Sequence, residues 1–375
     1  MPSLSSLSTI ANRFAQLRAS LNKVPTRFVG IDIGVRGITV ASMGISADQK
    51  SPRSHSAWLK WQSLTRINLA IDPTATPSID WIDRTIHALS DQLPRVIDGE
   101  LNLAFVSVPS TWVHYQVVQG RNLPACQQQC DQIFQNSIFK SPAHQTHWPV
   151  VGLEHGWPNQ DDQYVVASTA RETVVRIAEA ISKVGYDVHS VLPHGAALVH
   201  SAFALTSVDA QCVVMLNRDG GLVAMNHNSI QSGKKHYLKG GCGLSRSLPA
   251  IPSEILQTIG DGDLQLDDLQ PWLADIASEI SATMAYSQRA NMCDDGGETL
   301  LICGEVAAVP GIDVALATLT NRPVATWRYR GQSRPYLANN LSQIENSDAN
   351  FAVSLSLAHQ AVMAQNACFG NRETA

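Results

Sequence analysis

Cys126 and Cys130 lie four residues apart, and His144, His147 and His155 follow them. Thiolate and imidazole are the ligands zinc prefers. The paired C-x-x-C spacing that marks a structural zinc site is missing, so the five read as ordinary core or surface residues. Asp261, Asp263, Asp267 and Asp268 crowd one loop. They lack the Gly and Glu spacing of a calcium loop, and acids placed there cap and solvate a helix start. His189, His194 and His200 fall beside a predicted structural helix and mark no site of their own. There is no G-x-S-x-G elbow and no H-E-x-x-H helix.

Bulk properties narrow the partners. A formal net charge of -5 argues against a phosphate-neutralising surface, so no nucleic-acid partner is expected. The Trp and Tyr residues are not interleaved with Lys/Arg runs as on a strand-binding platform. Seven scattered cysteines, an odd number, point to a reducing compartment. No apolar run approaches the roughly 20 residues that span a bilayer. The N-terminus has no secretory core. A cytosolic protein is expected.

Residues 1–27 carry Arg13, Arg18, Lys23 and Arg27 and no acid. Leu7, Ile10, Phe14, Leu17 and Leu21 recur at helical spacing, up to Pro25. Such a basic amphipathic helix either docks or frays on its own domain, or lies on an anionic membrane. On a membrane each basic residue contributes about 1 kcal/mol. A transit peptide is the third reading.

The elements downstream come in two similar sets, and 375 residues are enough for two lobes. Residues 28–34 and 37–42 read as a strand–turn–strand hairpin. Residues 79–96 read as a helix with Ile79, Ile82, Ile86 and Leu89 on one face, and residues 101–108 as a buried strand ended by Pro109. Residues 110–190 read as an inserted unit. Its strands fall at 113–118, 164–168 and 188–192, and its helix at 173–184 turns Val174, Ile177, Ile181 and Val184 inward, closed by Gly185. The second half repeats the opening. A hairpin spans 212–225 with a turn at Asp219, Gly220 and Gly221, a long helix follows at 273–288, and a strand at 298–303 runs into Gly304. Pro310 and Gly311 open a short helix, and residues 351–364 form a last apolar helix. This is a duplicated α/β architecture with a cleft between its halves.

Three stretches carry a family resemblance. Gly30-Ile31-Asp32-Ile33-Gly34 resembles the first phosphate loop of the actin/Hsp70/hexokinase superfamily. Leu300-Leu301-Ile302-Cys303-Gly304-Glu305, followed by Pro310 and Gly311, resembles its adenosine motif. The hairpin at 212–230 falls where the second phosphate loop belongs. Within the superfamily the chain is most similar to the PilM-like proteins of type IV pilus assembly, through Val106-Ser107-Val108-Pro109, the stretch 164–185, Pro193–Leu198, the helix at 274–286 and the Ala/Leu-rich 350–359. The similarity runs from about residue 27 to about residue 365. It implies a ribonuclease H-like, actin-like two-lobed fold. The divisions are an arm at 1–27, a first lobe at 28–109, an inserted subdomain at 110–190 and a return to the first lobe at 191–206. The second lobe takes 207–345, a C-terminal helix 346–366 and a tail 367–375.

The resemblance also implies a nucleotide site. In the superfamily, glycine-bearing turns let backbone N–H groups approach ATP phosphates, and strand-end Asp residues orient Mg²⁺. Carried over, Asp32 is the metal-orienting residue. Gly34, Arg36, Asp219, Gly220, Gly304 and Glu305 would join Asp32 around ATP. The pattern departs from the family in three places. Val35 and Arg36 replace small hydroxylic residues; Arg36 either pairs with a phosphate or is a solvated charge. Asn217 stands at the second strand end, so the carboxylate is lost unless Asp219 replaces it, and Asp219-Gly220 is equally a plain hairpin turn. Glu305 replaces the second glycine of the adenosine motif, where it would crowd a ribose or repel a phosphate.

The function implied is a cytoplasmic scaffold, peripheral at the inner membrane. It would recruit a cytoplasmic peptide of a PilN-like bitopic membrane protein in a groove lined from about residues 110–190. A secretion subunit of GspL type or a division protein of FtsA type is the alternative. An ATP-dependent small-molecule kinase is a further one, which the missing strand-end Asp opposes.

Overall fold

The computed structural model describes residues 27–45, 59–69, 79–93, 101–109, 112–119, 145–149, 163–210, 212–227, 241–259, 264–289, 299–330 and 348–370. Residues 1–26 of the basic arm lie outside this set, as do Cys126, Cys130, His144, His155, Asp261 and Asp263.

Two five-stranded sheets share one wiring. In the first, β1 (Arg27–Ile33), β2 (Gly37–Ile45), β3 (Leu59–Asn68), β4 (Asn102–Val108) and β8 (Tyr186–Pro193) run in the order β3-β2-β1-β4-β8. In the second, β9 (Cys212–Asn217), β10 (Gly220–His227), β11 (Gly241–Leu248), β12 (Leu300–Cys303) and β13 (Val324–Thr326) run β11-β10-β9-β12-β13. Each sheet opens as an antiparallel meander and closes with two parallel additions. The duplication read from the sequence is therefore present strand for strand. The fold is the two-lobed actin-like α/β class. A third sheet of β5 (His114–Gln119), β6 (Gln145–Pro149) and β7 (Gln163–Ala170), in the order β5-β7-β6, is inserted between β4 and β8. Because β8 pairs with β4, residues 186–193 belong to the first-lobe sheet, and a division at residue 190 cuts through that strand.

Helices sort by which face of a sheet they cover. Helices α1 (Ile79–Gln92) and α2 (Arg171–Lys183) pack together on one face of the first sheet. Ala88, Leu89, Ile177 and Ile181 meet Val29, Ile31 and Ile33 there. Each fully buried aliphatic side chain of this kind contributes about 1.5–3 kcal/mol. The inward face predicted for α2 holds throughout: Val174, Ile177, Ile181 and Val184 are all buried. Gly185 follows with a positive φ, its N–H bonded to the Ser182 carbonyl. The opposite face carries α7 (Ala352–Gly370), which crosses β1, β2 and β4. Against the second sheet lies α3 (His194–Thr206), and α3 packs on α7, so two helices stand between the sheets. The second lobe is completed by α4 (Ser253–Ile259), α5 (Leu266–Arg289) and α6 (Ile312–Thr320). Asp267 and Asp268 sit in the first turn of α5, where the helix dipole favours acids.

Polar bonds fix the α3–α7 pair. Ser201 Oγ donates to the Ser356 carbonyl at 3.1 Å and lies 3.1 Å from His359 Nδ1. Gln360 Nε2 donates to the Ala197 carbonyl at 2.8 Å. Burial holds His359 down to a pKa of about 4, so its ring is neutral at physiological pH.

Gly30 takes a role different from a phosphate turn. A Cβ there would lie 1.9 Å from the Ser354 carbonyl oxygen and 2.6 Å from the Ala358 nitrogen, both backbone atoms of α7. The glycine lets helix and strand backbones touch. Gly30→Ala should push α7 off the sheet and cost about 3 kcal/mol or more. Denaturant unfolding checks this: the midpoint should fall with little change in slope.

Candidate functional site

Between the lobes lies a cleft lined by Asp32, Gly34, Val35, Arg36, Gly37, Thr39 and Arg66 from the first sheet. Met215, Asn217, Asp219, Gly304 and Glu305 face them, with Ala349, Asn350 and Val353 at the start of α7. The structure thus gathers the predicted site residues Asp32, Gly34, Arg36, Asp219, Gly304 and Glu305 around one cavity. Gly220 is the first residue of β10, beside the turn, and pairs with Asn217.

Strand geometry explains the convergence. β1 and β9 are the central strands of equivalent sheets, and both end at the cleft in a hairpin turn. Gly34 N–H bonds the Gly37 carbonyl at 2.9 Å to close the first turn. Arg218 and Asp219 form the second. Gly304 follows β12 with φ of 95°. A Cβ on Gly304 would lie 2.4 Å from the Leu216 carbonyl oxygen and 2.5 Å from Asn217 Oδ1, so β12 can turn against the end of β9 only with glycine there.

The side chains form a charged network. Asp32 Oδ1 accepts a 2.7 Å hydrogen bond from Ser107 Oγ. His194 Nε2 lies 2.8 Å from the same oxygen, out of line for a straight hydrogen bond, with its side chain only 3% exposed. Glu305 Oε1 accepts from the Arg218 backbone N–H at 2.9 Å and lies 3.9 Å from Arg218 Nε. Glu305 Oε2 is 3.7 Å from Arg66 Nη2, across the cleft. The Glu305 backbone N–H donates to Asn217 Oδ1 at 3.1 Å. Burial, then the Glu305 charge, pushes the Asp219 carboxyl up to about 6, while Arg36 and His194 pull it down. Burial and the charge on Asp32 push the Cys303 thiol up, leaving it protonated.

His194 corrects the sequence reading. Its place at a structural helix gives it no site in the sequence, yet from the first turn of α3 its ring reaches the Asp32 carboxylate. Arg66, Ser107, Asn217 and Arg218 also belong to the site; Ser107, Asn217 and Arg218 lie in the sequence motifs without a site role, and Arg66 is in none. At Asn217 the sequence shows only a lost carboxylate. Among the described residues, no cluster of three His, Cys, Asp or Glu side chains is placed to hold a metal.

Mg²⁺ and ATP do not fit this arrangement. The cavity is about 50 Å³, room for a few waters at roughly 10–15 Å³ each. The Glu305 carboxylate stands in the cleft beside the second turn, where a phosphate would be repelled. One oxygen of Asp32 is already taken by Ser107.

Comparison with known proteins was informative for the fold alone. No protein-family profile and no curated protein sequence matches the chain. Among solved structures, the chain matches one from the "PilM-PilN type IV pilus biogenesis complex" with a TM-score of 0.61. The match is 13% identical and covers 89% of this chain and 98% of that one. The two chains share one fold. The identity is too low to carry over any activity. Two further matches are the ethanolamine utilization protein EutJ from Carboxydothermus hydrogenoformans and the cytoplasmic domain of EpsL from Vibrio cholerae. EutJ is 12% identical, covers 90% of each chain and has a TM-score of 0.44. EpsL is 10% identical, covers 90% of this chain and 95% of that one, and has a TM-score of 0.36.

The shifted Asp219 gives a pH prediction. Its folded pKa lies above its unfolded value, so its contribution to stability is full below about pH 3.8 and is lost as pH rises through about 6. Asp219→Asn removes the buried charge that remains above that window. The variant should melt a few degrees higher than the parent at pH 7.5, on the order of 1–2 kcal/mol, and the gain should vanish near pH 4. Paired thermal melts across pH 4–8 check it.

Proposed function

We propose that this chain is a scaffold of a type IV pilus machine or a related secretion machine, docking a short cytoplasmic segment of a PilN-like bitopic membrane protein. The observation that carries the reading is the likeness to the structure of the PilM-PilN complex over 89% of this chain. Sequence features support it. Residues 1–27 are basic and amphipathic and suit a peripheral place on the inner membrane. No helix among the described residues is long and apolar enough to cross a membrane.

The first lobe has a surface suited to such a segment. β8 is an edge strand, so one side of its backbone has no partner strand among the described residues. Beside it, α2 and β8 form a shallow trough of about 480 Å³ lined by Val175, Ala178, Glu179, Ser182, Lys183 and Val188. Val175 is 43% exposed, unusual for an apolar residue of an otherwise well-packed helix. An extended peptide would gain main-chain bonds from the strand edge and side-chain burial from the trough.

The test is fluorescence anisotropy with a labelled peptide from the N-terminal cytoplasmic segment of a bitopic protein encoded beside this chain. Saturable binding is expected, and Val175→Asp should weaken it about tenfold or more. A folded protein that binds no such segment would sink the reading.

A further inference from the structure

We infer that the cleft is held shut by the protein's own Glu305, whose carboxylate bridges the two lobes in place of a nucleotide phosphate. The inference concerns the cleft alone and stands whether or not a membrane partner docks on the first lobe.

Glu305 follows Gly304 on the second lobe, and its backbone is anchored there, its N–H bonded to Asn217 Oδ1. Its first carboxylate oxygen accepts the Arg218 N–H of the second hairpin turn. A backbone N–H at a hairpin turn is the type of group that cradles an anion. Its second oxygen reaches Arg66 on β3 of the first lobe, at 3.7 Å. The carboxylate therefore satisfies both sides of the cleft at once. Its side chain is 15% exposed and that of Arg66 12%. At that burial an ion pair is little screened, and removing Glu305 or Arg66 removes the charge contact that crosses the cleft between them.

The substitutions in the motifs fit together on this reading. Asn217 supplies an acceptor for the Glu305 N–H, where a carboxylate would add a further negative charge beside Asp219 and Glu305. Arg66 supplies the counter-charge from the opposite lobe. Asp32 is held by Ser107 from its own sheet and approached by His194, so it is satisfied without a cation. The neighbouring Asp219 is repelled by Glu305 and attracted by Arg36 and His194. A ligand-gated clamp has become a closed joint. An incoming nucleoside triphosphate would have to displace a tethered carboxylate from its own anion site.

Hydrogen exchange of the purified full chain tests this, read across the cleft from each substitution. Glu305→Ala, on the second lobe, should speed exchange at first-lobe amides Gly34 and Leu69 about tenfold or more, because local opening sets their protection. Arg66→Ala, on the first lobe, should do the same at Arg218 and Glu305. If the pair acts as one latch, the double variant should open the cleft no further than either single variant. A fluorescent ATP analogue should bind Glu305→Ala at least about tenfold more tightly than the parent, since the anion site is then free. Unchanged exchange across the cleft in a folded single variant would overturn the latch, as would fully additive effects or equal nucleotide affinity in parent and variant. If an alanine variant loses protection in the lobe cores as well, Glu305→Gln decides. It keeps an acceptor for Arg218 and loses the charge, so cleft amides alone should open, and a cleft as protected as the parent's overturns the inference.

Discussion

The contact between α7 and β1 at Gly30 is the constraint on which the rest of the molecule hangs. Helix and strand backbones meet there with no side chain between them, which sets the height of α7 above the first sheet. α3 rests on α7, and the second sheet rests on α3. A single apolar core then runs from Phe28 and Phe105 through Leu198 and Leu357 to Val214 and Leu301. The two lobes are thus bonded through their middle, and only their upper rims are free to face each other as a cleft.

Electrostatics governs that rim. Three carboxylates and three guanidinium groups converge in a small space, and buried charge is tolerated only where it is paired. Asp32 has a hydrogen bond from Ser107 of its own sheet, and Glu305 has arginines on both sides. Asp219 is the acid with the least compensation, and burial together with its carboxylate neighbour drives it toward protonation. Gly34 and Gly304 let the two turns close at the cleft, and around them the charged side chains hold one another.

How much of this was legible in the sequence follows from the range of each interaction. The paired hairpins, the inward stripe of α2 and the long helix read at 273–288 are local patterns, and each appears where periodicity put it. The cleft residues taken from motifs also converge, because strand ends and glycine turns are encoded within a few positions. Arg66, Ser107 and His194 were not legible as a set. They sit on β3, β4 and α3, and only sheet order brings them to Asp32 or Glu305. Gly30 looked like part of a phosphate loop because close helix contact and close ligand approach select the same residue. The edge at β8 was hidden because its strand follows the inserted sheet in sequence and rejoins the first sheet in space.

The position of α7 in the chain has a consequence for synthesis. β1 emerges from the ribosome among the first elements, and the helix that covers its inner face is among the last. The first sheet must therefore wait with one apolar face uncovered while the second lobe, whose strands and helices lie closer together in sequence, completes itself. Contacts of such long sequence separation form slowly, and exposed sheet surface invites wrong association in the interval. Nascent chains of this protein are expected to lean on chaperones through most of their translation, and to become protease-resistant in the first lobe only after α7 has been made.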